Sequence, residues 1–336
     1  MYDPNYPSRR EFVRHVSFGF GTAMLGFSGI AGASGKVLDH LEDPVPEALP
    51  RDMQDRKLGI ALVGLGAYAT GQLAPALQET KHCRLAGIVT GTPEKALEWK
   101  ARYNIPDKNI YNYENYDTIR DNEEIDIIYI VLPNSMHAEY TIRGARAGKH
   151  MISEKPMATS VEDCQRMIDA CREAGRRLSI GYRLHFEPHN QHMMKLGREK
   201  AYGSLRKMEA SNSFVMGNTP RAWRLDKKLA GGGPLMDLGI YCVQGALYTM
   251  GEEPIAVNAR FGEVTKPELF SQVEQTIDWQ MEFPGGVMAH CTTSYAESEN
   301  LLRAEAEKGW FELSPAYAYG GIKGRTSEGK MDFPGI

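Results

Sequence analysis

Cysteine is scarce in this chain. Five occur in 336 residues, Cys83, Cys164, Cys171, Cys242 and Cys291, and none stands in a C-x-x-C pair. An odd number at irregular spacing builds no disulfide framework, and without C-x-x-C neither a zinc ribbon nor a redox pair is available. Cys164 and Cys171 fall on one predicted helix and read as small buried apolar residues. Positive charge is not in excess either: 39 Lys and Arg stand against 43 Asp and Glu, a net −4. No basic stripe alternates with aromatics, which excludes nucleic acid as a partner class. Long apolar runs are also missing. The uncharged stretch near the N-terminus, residues 16–30 (VSFGFGTAMLGFSGI), is too short and glycine-rich for a span of ~20 residues. With 42% hydrophobic and 24% charged residues, the rest reads as globular.

What is present begins with that stretch. Ser8-Arg9-Arg10-Glu11-Phe12 precedes it and Ala31-Gly32-Ala33 follows it. Paired arginines, an apolar segment and a small-x-small site make a twin-arginine export signal over residues 1–33, cleaved near Ser34. The expected location is the periplasm, with no stable membrane association after cleavage. That route carries folded proteins, which suits a chain that binds its cofactor before export. Residues 34–56 then read as a proline-rich arm, with three prolines in LEDPVPEALPRDMQD.

From residue 57 the pattern becomes strand, helix, strand. KLGIALVGL (57–65) is a short apolar run closed by Gly64-x-Gly66-x-x-Ala69. Glycines there permit a tight turn and close approach of backbone to a pyrophosphate on a helix N-terminus, so Gly64, Gly66, Ala67, Tyr68 and Ala69 are candidate cofactor contacts. The motif alone is weak, and its context strengthens it. A helix is expected over 71–79, a strand at CRLAGIV (83–89), a helix over 93–103, a strand at DIIYIVL (126–132), a helix over 136–147 and a strand at 150–153. Such alternation predicts a Rossmann-type, doubly wound parallel sheet over 57–181.

The second strand ends without a carboxylate to accept a ribose 2′-hydroxyl. Thr90, Gly91 and Thr92 stand there, with Lys95 nearby, and hydroxyls and a lysine suit a 2′-phosphate, so the expected cofactor is NADP. Ligands in such sheets bind beyond the carboxyl ends of the strands. Two stretches fall at that rim: Pro133, Asn134 and His137 after DIIYIVL, and Glu154 and Lys155 after HMIS.

Residues 182–336 read differently. Segments 205–216, 255–261, 273–283 and 287–295 are strand-like, and Ile277, Trp279, Met281 and Phe283 alternate with polar residues, as in a sheet buried on one face. The expectation is an α+β domain with an open, mostly antiparallel sheet. A helix over 234–250 follows Gly231-Gly232-Gly233 and carries Asp237 and Tyr241, spaced i and i+4 on one face. From the residues alone, Asp237 is either functional or an acid suited to the helix dipole, and Tyr241 either functional or a core aromatic.

The motifs Glu154-Lys155-Pro156, LPNSMHAEY, GYRLHFEP and WRLDKKLAGGGPLMDLGIY together resemble the Gfo/Idh/MocA oxidoreductase family, in particular its glucose–fructose oxidoreductase branch. That resemblance implies a tightly held NADP, sugar substrates and the open sheet domain. It also implies a catalytic set of Lys155, Asp237 and Tyr241, the tyrosine standing where much of the family has histidine. Oxidation at a sugar C1 needs a base for the hydroxyl proton. A free tyrosine, with pKa ~10, is a poor one near neutrality, and a neighbouring ammonium would favour its phenolate. Tyr241 is therefore assigned acid/base, Lys155 tuning and substrate binding, and Asp237 orientation of sugar or lysine. Arg183 is expected to reach cofactor or sugar, Trp223 and Arg224 to close over the nicotinamide, and Tyr295 to line the sugar pocket.

His185, His189 and His192 form no expected metal site, because Pro188 interrupts any shared helical face. Members of the family continue for some tens of residues past the position of Ile336, so the second domain is expected either to be truncated at its C-terminus or to dispense with that part. An open sheet face favours a homodimer or homotetramer. The activity expected is oxidation of an aldose to its lactone with reduction of a second sugar to an alditol. A dehydrogenase that releases NAD(P), or a non-catalytic sugar- or nucleotide-binding protein, are the alternatives.

Overall fold

The computed structural model describes residues 56–217, 222–331 and 333. The export signal and the arm up to residue 55 lie outside the described residues. Those described fall into two compact units, 56–181 and 182–333.

The first unit is a six-stranded sheet in the order β3-β2-β1-β4-β5-β6. Its strands are β1 (Leu58–Val63), β2 (Cys83–Val89), β3 (Ile110–Tyr111), β4 (Ile127–Ile130), β5 (His150–Glu154) and β6 (Leu178–Gly181), and every pairing is parallel. Helices α1 (Ala74–Glu79), α2 (Pro93–Tyr103), α3 (His137–Arg146) and α4 (Val161–Glu173) connect them. A sheet covered on both faces needs strands apolar on both sides. In β1, Leu62 and Ile60 pack with Ile88 and Trp99 on one side, and Val63 and Ala61 with Ile128 and Tyr140 on the other. This is the doubly wound sheet that the alternation predicts, and the strand order reverses between β1 and β4, where such folds open their ligand crevice.

The second unit holds an eight-stranded sheet in the order β14-β13-β12-β11-β7-β10-β9-β8. The strands are β7 (Leu205–Ser213), β8 (Ala256–Phe261), β9 (Thr276–Glu282), β10 (Met288–Ser294), β11 (Glu299–Ala306), β12 (Trp310–Leu313), β13 (Gly324–Thr326) and β14 (Gly329–Met331). Only β7 and β10 pair in parallel; the other neighbours are antiparallel. Ile277, Trp279, Met281 and Phe283 are all buried and pack with residues of α5 (Pro188–Arg198) and α7 (Ile240–Met250), while Gln280 is exposed. The period-two pattern thus marks the helix-covered face of β9 correctly. The short helix α6 (Lys227–Ala230) ends at Gly231, just ahead of the segment that leads into α7.

Candidate active site

In the first unit the nucleotide turn is dictated by geometry at Gly64. Its φ is +93°, and a Cβ there would sit 2.4 Å from the Val131 carbonyl oxygen, so only glycine fits. Gly66 is the reverse case. A Cβ there would meet nothing within 4 Å, which leaves room over the turn for a phosphate group. Ala69 is fully buried and lets the following helix lie close on the sheet, while Ala67 is exposed and Tyr68 half-buried. The helix departs from the expected α geometry: Ala69–Leu73 is a π-helical turn, and the α form resumes at Ala74.

At the end of β2, the Thr90 hydroxyl accepts from the Thr92 N–H at 3.2 Å. Gly91 and Thr92 are exposed, and Lys95 donates from Nζ to the Leu65 carbonyl at 3.1 Å. One lysine therefore joins the glycine turn to the segment where a ribose-discriminating carboxylate would otherwise stand. An open turn, a hydroxyl pair and a cation fit a dinucleotide with an extra phosphate.

The loops after β4 and β5 hold the remaining first-unit candidates. Pro133 precedes a 3-10 turn, Asn134–Met136, and Asn134 is buried. Glu154 is also buried, and its Oε1 accepts from the Tyr129 hydroxyl at 2.5 Å. Lys155 follows at the strand end, half-buried, with its main-chain N–H toward Glu154 Oε2 at 3.3 Å. His137 corrects the sequence expectation of a cofactor contact. Its ring is 1% exposed, with Nδ1 2.8 Å from the Pro156 carbonyl and Nε2 2.9 Å from the Leu132 carbonyl. Both nitrogens face main chain, so the ring has no edge left for a nucleotide.

In the second unit the candidates gather around one carboxylate. Asp237 Oδ2 accepts from Arg224 Nε at 2.8 Å and from the Tyr295 hydroxyl at 3.0 Å. Burial works against the Arg224 charge, yet Asp237 outweighs it and raises the guanidinium pKa. For Tyr295, burial and then Asp237 push the phenol well above its ordinary value, so it stays a donor to the acid. Tyr295 is 1% exposed, stacks on Phe270 and meets the tilted ring of Phe214. It therefore corrects a second expectation: it does not line an open pocket but reaches any substrate only through Asp237. Arg224 likewise turns its Nε to the acid, and its guanidinium lies 4.5 Å above the Trp223 ring.

Asp237 belongs to a π-helical turn, Leu235–Gly239, that runs into α7. The segment between Asp237 and Tyr241 is thus partly π-helical where an α-helix was expected, and four residues across it still come close to one full turn. Gly233 is compelled by close approach: a Cβ would sit 2.3 Å from the Glu274 carbonyl oxygen. The Glu274 carboxylate accepts from the N–H groups of Gly233 and Leu235, at 2.9 and 3.1 Å, and so caps the start of the segment. The Tyr241 ring is 8% exposed and lies between Tyr182, at 5.5 Å, and Tyr317, at 6.0 Å. These two rings and Glu274 support the site, and sequence reading missed them; Tyr317 and Glu274 are far along the chain from what they hold and carry no motif.

Arg183 donates from Nη2 to the Tyr317 carbonyl at 2.5 Å and lies 4.5 Å above the Tyr319 ring. It lines a cavity of about 680 Å³ with Glu187, His189 and Lys323, so it is wired to the support of Tyr241. His189 bonds to Glu187 and packs against Phe333, as does His192. Among the described residues no group of three His, Cys, Asp or Glu is placed to hold a metal.

Comparisons with known proteins agree with this anatomy. Residues 58–182 match the model of an oxidoreductase family with an NAD-binding Rossmann fold, and residues 190–312 match the GFO/IDH/MocA C-terminal domain. The chain is 30% identical over 275 residues to a D-xylose 1-dehydrogenase [NADP(+)] of Haloarcula marismortui, covering 78% of this chain and 74% of the relative. It is 31% identical over 219 residues to a levoglucosan dehydrogenase of Pseudarthrobacter phenanthrenivorans, covering 61% and 54%. Among solved structures, aldose-aldose oxidoreductase from Caulobacter crescentus, complexed with glycerol, is 45% identical, with a TM-score of 0.80 over 82% of this chain and 84% of that one.

Proposed function

Since the chain belongs to the Gfo/Idh/MocA oxidoreductase family, we propose that it is an NADP-dependent sugar oxidoreductase of the periplasm that keeps its cofactor between two half-reactions. One aldose is oxidised at C1 to its lactone, and a second sugar is reduced to an alditol. The observation that carries this reading is a buried tyrosine, Tyr241, four residues after an aspartate already bound to a guanidinium and a phenol. The likeness to aldose-aldose oxidoreductase favours an aldose as the second sugar as well. Export is supported by the twin arginines and apolar run of residues 9–30, and a retained cofactor suits a compartment to which the protein is carried folded.

NADP would be held by the Gly64–Ala69 turn, by Thr90 and Lys95 at the ribose phosphate, and by the loops that bear Asn134 and Lys155. When bound, its nicotinamide supplies the hydride acceptor and donor. The protein's own groups then manage the proton. Tyr241 takes the C1 hydroxyl proton during oxidation and returns one during reduction, a role of general base and then general acid. Lys155, whose position and positive charge match the family's motif, is assigned to bind the reacting hydroxyl. Asp237, fixed by Arg224 and Tyr295, orients the sugar.

A second reading, a dehydrogenase that releases its cofactor, is favoured by the similarity to the xylose enzyme. One experiment separates the readings. The protein is purified without added nucleotide and denatured, and the supernatant is assayed for NADP(H); the native protein is then given glucose alone or glucose with a second sugar. Stoichiometric NADP with turnover on sugar alone and no added nucleotide, either glucose serving as both donor and acceptor or glucose with a second sugar, supports the main reading. Empty protein that needs added cofactor overturns it in favour of the second. Bound nucleotide that no sugar reduces points to a binding protein.

A further inference from the structure

The buried imidazole of His137 is unused by the chemistry above, yet it spans the two loops at the carboxyl ends of β4 and β5. It opens α3, and its Nε2 faces the Leu132 carbonyl five positions upstream, within its own segment. Its Nδ1 faces the Pro156 carbonyl, one residue beyond Lys155. The main chain of Met157 also acts on the ring, so two of its three main-chain neighbours belong to the lysine loop. We infer that His137 is a positioning residue, whose Nδ1–H holds the Pro156 carbonyl and thereby fixes the loop that presents Lys155.

The chemistry of the ring makes this a sharp statement. A neutral imidazole has one N–H and one lone pair, so it donates to only one of two carbonyls; an imidazolium donates to both. Burial, and then the Lys155 ammonium, hold its pKa below the ordinary 6.5. The neutral ring must therefore choose between its own segment and the lysine loop. A proton on Nδ1 ties β5's loop to α3. A proton on Nε2 ties only α3 to the residues just before it and leaves the Pro156 carbonyl without this donor. A misplacement of about 1 Å in a reacting group costs on the order of a hundredfold in rate, so the choice matters for turnover.

The inference rests on the proposed role of Lys155, and its test separates the two. Asparagine places an amide N–H near Nδ1, and glutamine places one near Nε2. In the full chain with its nucleotide bound, His137→Asn should keep kcat within about tenfold, whereas His137→Gln and His137→Leu should lower it about a hundredfold, with the sugar KM little changed. Amide hydrogen exchange over residues 152–160 should quicken in the Gln and Leu variants and not in the Asn variant. Equal behaviour of Asn and Gln, in rate and in exchange, would overturn the inference. If the wild type turns over no sugar, the proposed function fails, and the exchange contrast still decides this one. Should the variants fold poorly, the ¹⁵N spectrum of the wild-type ring decides: a proton on Nδ1 supports the assignment, and one on Nε2 alone refutes it.

Discussion

In the first unit, the groups at the ends of the strands are held largely by main chain. Gly64 turns where no side chain fits, Lys95 anchors on a carbonyl, and the loop after Lys155 is grasped through the Pro156 carbonyl. In the second unit, the polar centre is held by side chains. A guanidinium and a phenol meet on one oxygen of Asp237, and two aromatic rings flank Tyr241. Main-chain support suits recognition of a constant ligand, because it does not depend on which side chains the sequence offers. Side-chain support can be retuned one residue at a time, which suits a half proposed to meet different sugars.

Several substitutions would break or sharpen that contrast. Tyr241→Phe deletes one oxygen from the second unit and should lower turnover roughly 10²–10⁴-fold while released NADP stays stoichiometric. Turnover left intact would end the acid/base assignment. Gly64→Ala attacks main-chain support in the first unit. It places a methyl 2.4 Å from a carbonyl at a φ of +93°, and should cost about 1–3 kcal/mol in denaturant unfolding, with nucleotide lost on desalting. Arg224→Leu removes the guanidinium from Asp237 Oδ2 and should reduce kcat roughly tenfold, leaving nucleotide content unchanged. A loss of nucleotide instead would place the arginine with the cofactor, as its sequence context suggests.

The smallest effect concerns pH. Burial lowers the folded pKa of His137 below 6.5, so between that folded value and 6.5 the unfolded chain binds the proton more readily. His137's contribution to stability is thus complete above pH 6.5 and is lost as pH falls through the folded value. The acid side of the Tm profile should therefore flatten in His137→Asn; an unchanged slope would deny the histidine that share.

Much of the first unit was legible because a strand covered on both faces has no choice but to be apolar. CRLAGIV and DIIYIVL announce themselves, and their loops follow by topology. The second unit was legible only in part. The alternation around Trp279 marks β9, but β11 reads ENLLRAEA, and its Arg303 and Glu305 bond to one another on the face away from the buried Leu302 and Ala304. A strand with charges on one face and only one large apolar residue, Leu302, on the other resembles a loop until its neighbours β7 and β12 are known. Candidate residues divide the same way. Gly64 and Lys155 sit beside motifs, so sequence finds them. That Tyr295 and Arg224 act through Asp237 depends on pairings 58 and 13 residues apart, which no local pattern encodes.

The π-helical turn at Leu235–Gly239 has a consequence for insertions and deletions. Such a turn holds one residue more than an α-helix needs, like a link added to a chain of fixed length. Excising that link would let the backbone close into an ordinary helix and keep α7 seated in its core. The carboxylate upstream would swing by about 100°, one residue's share of a 3.6-residue turn, and leave Arg224 and Tyr295. A shortened protein of this kind would fold as the parent does, less stably by about 1–3 kcal/mol for the buried Tyr295 hydroxyl left unpaired, and yet be inert toward sugars.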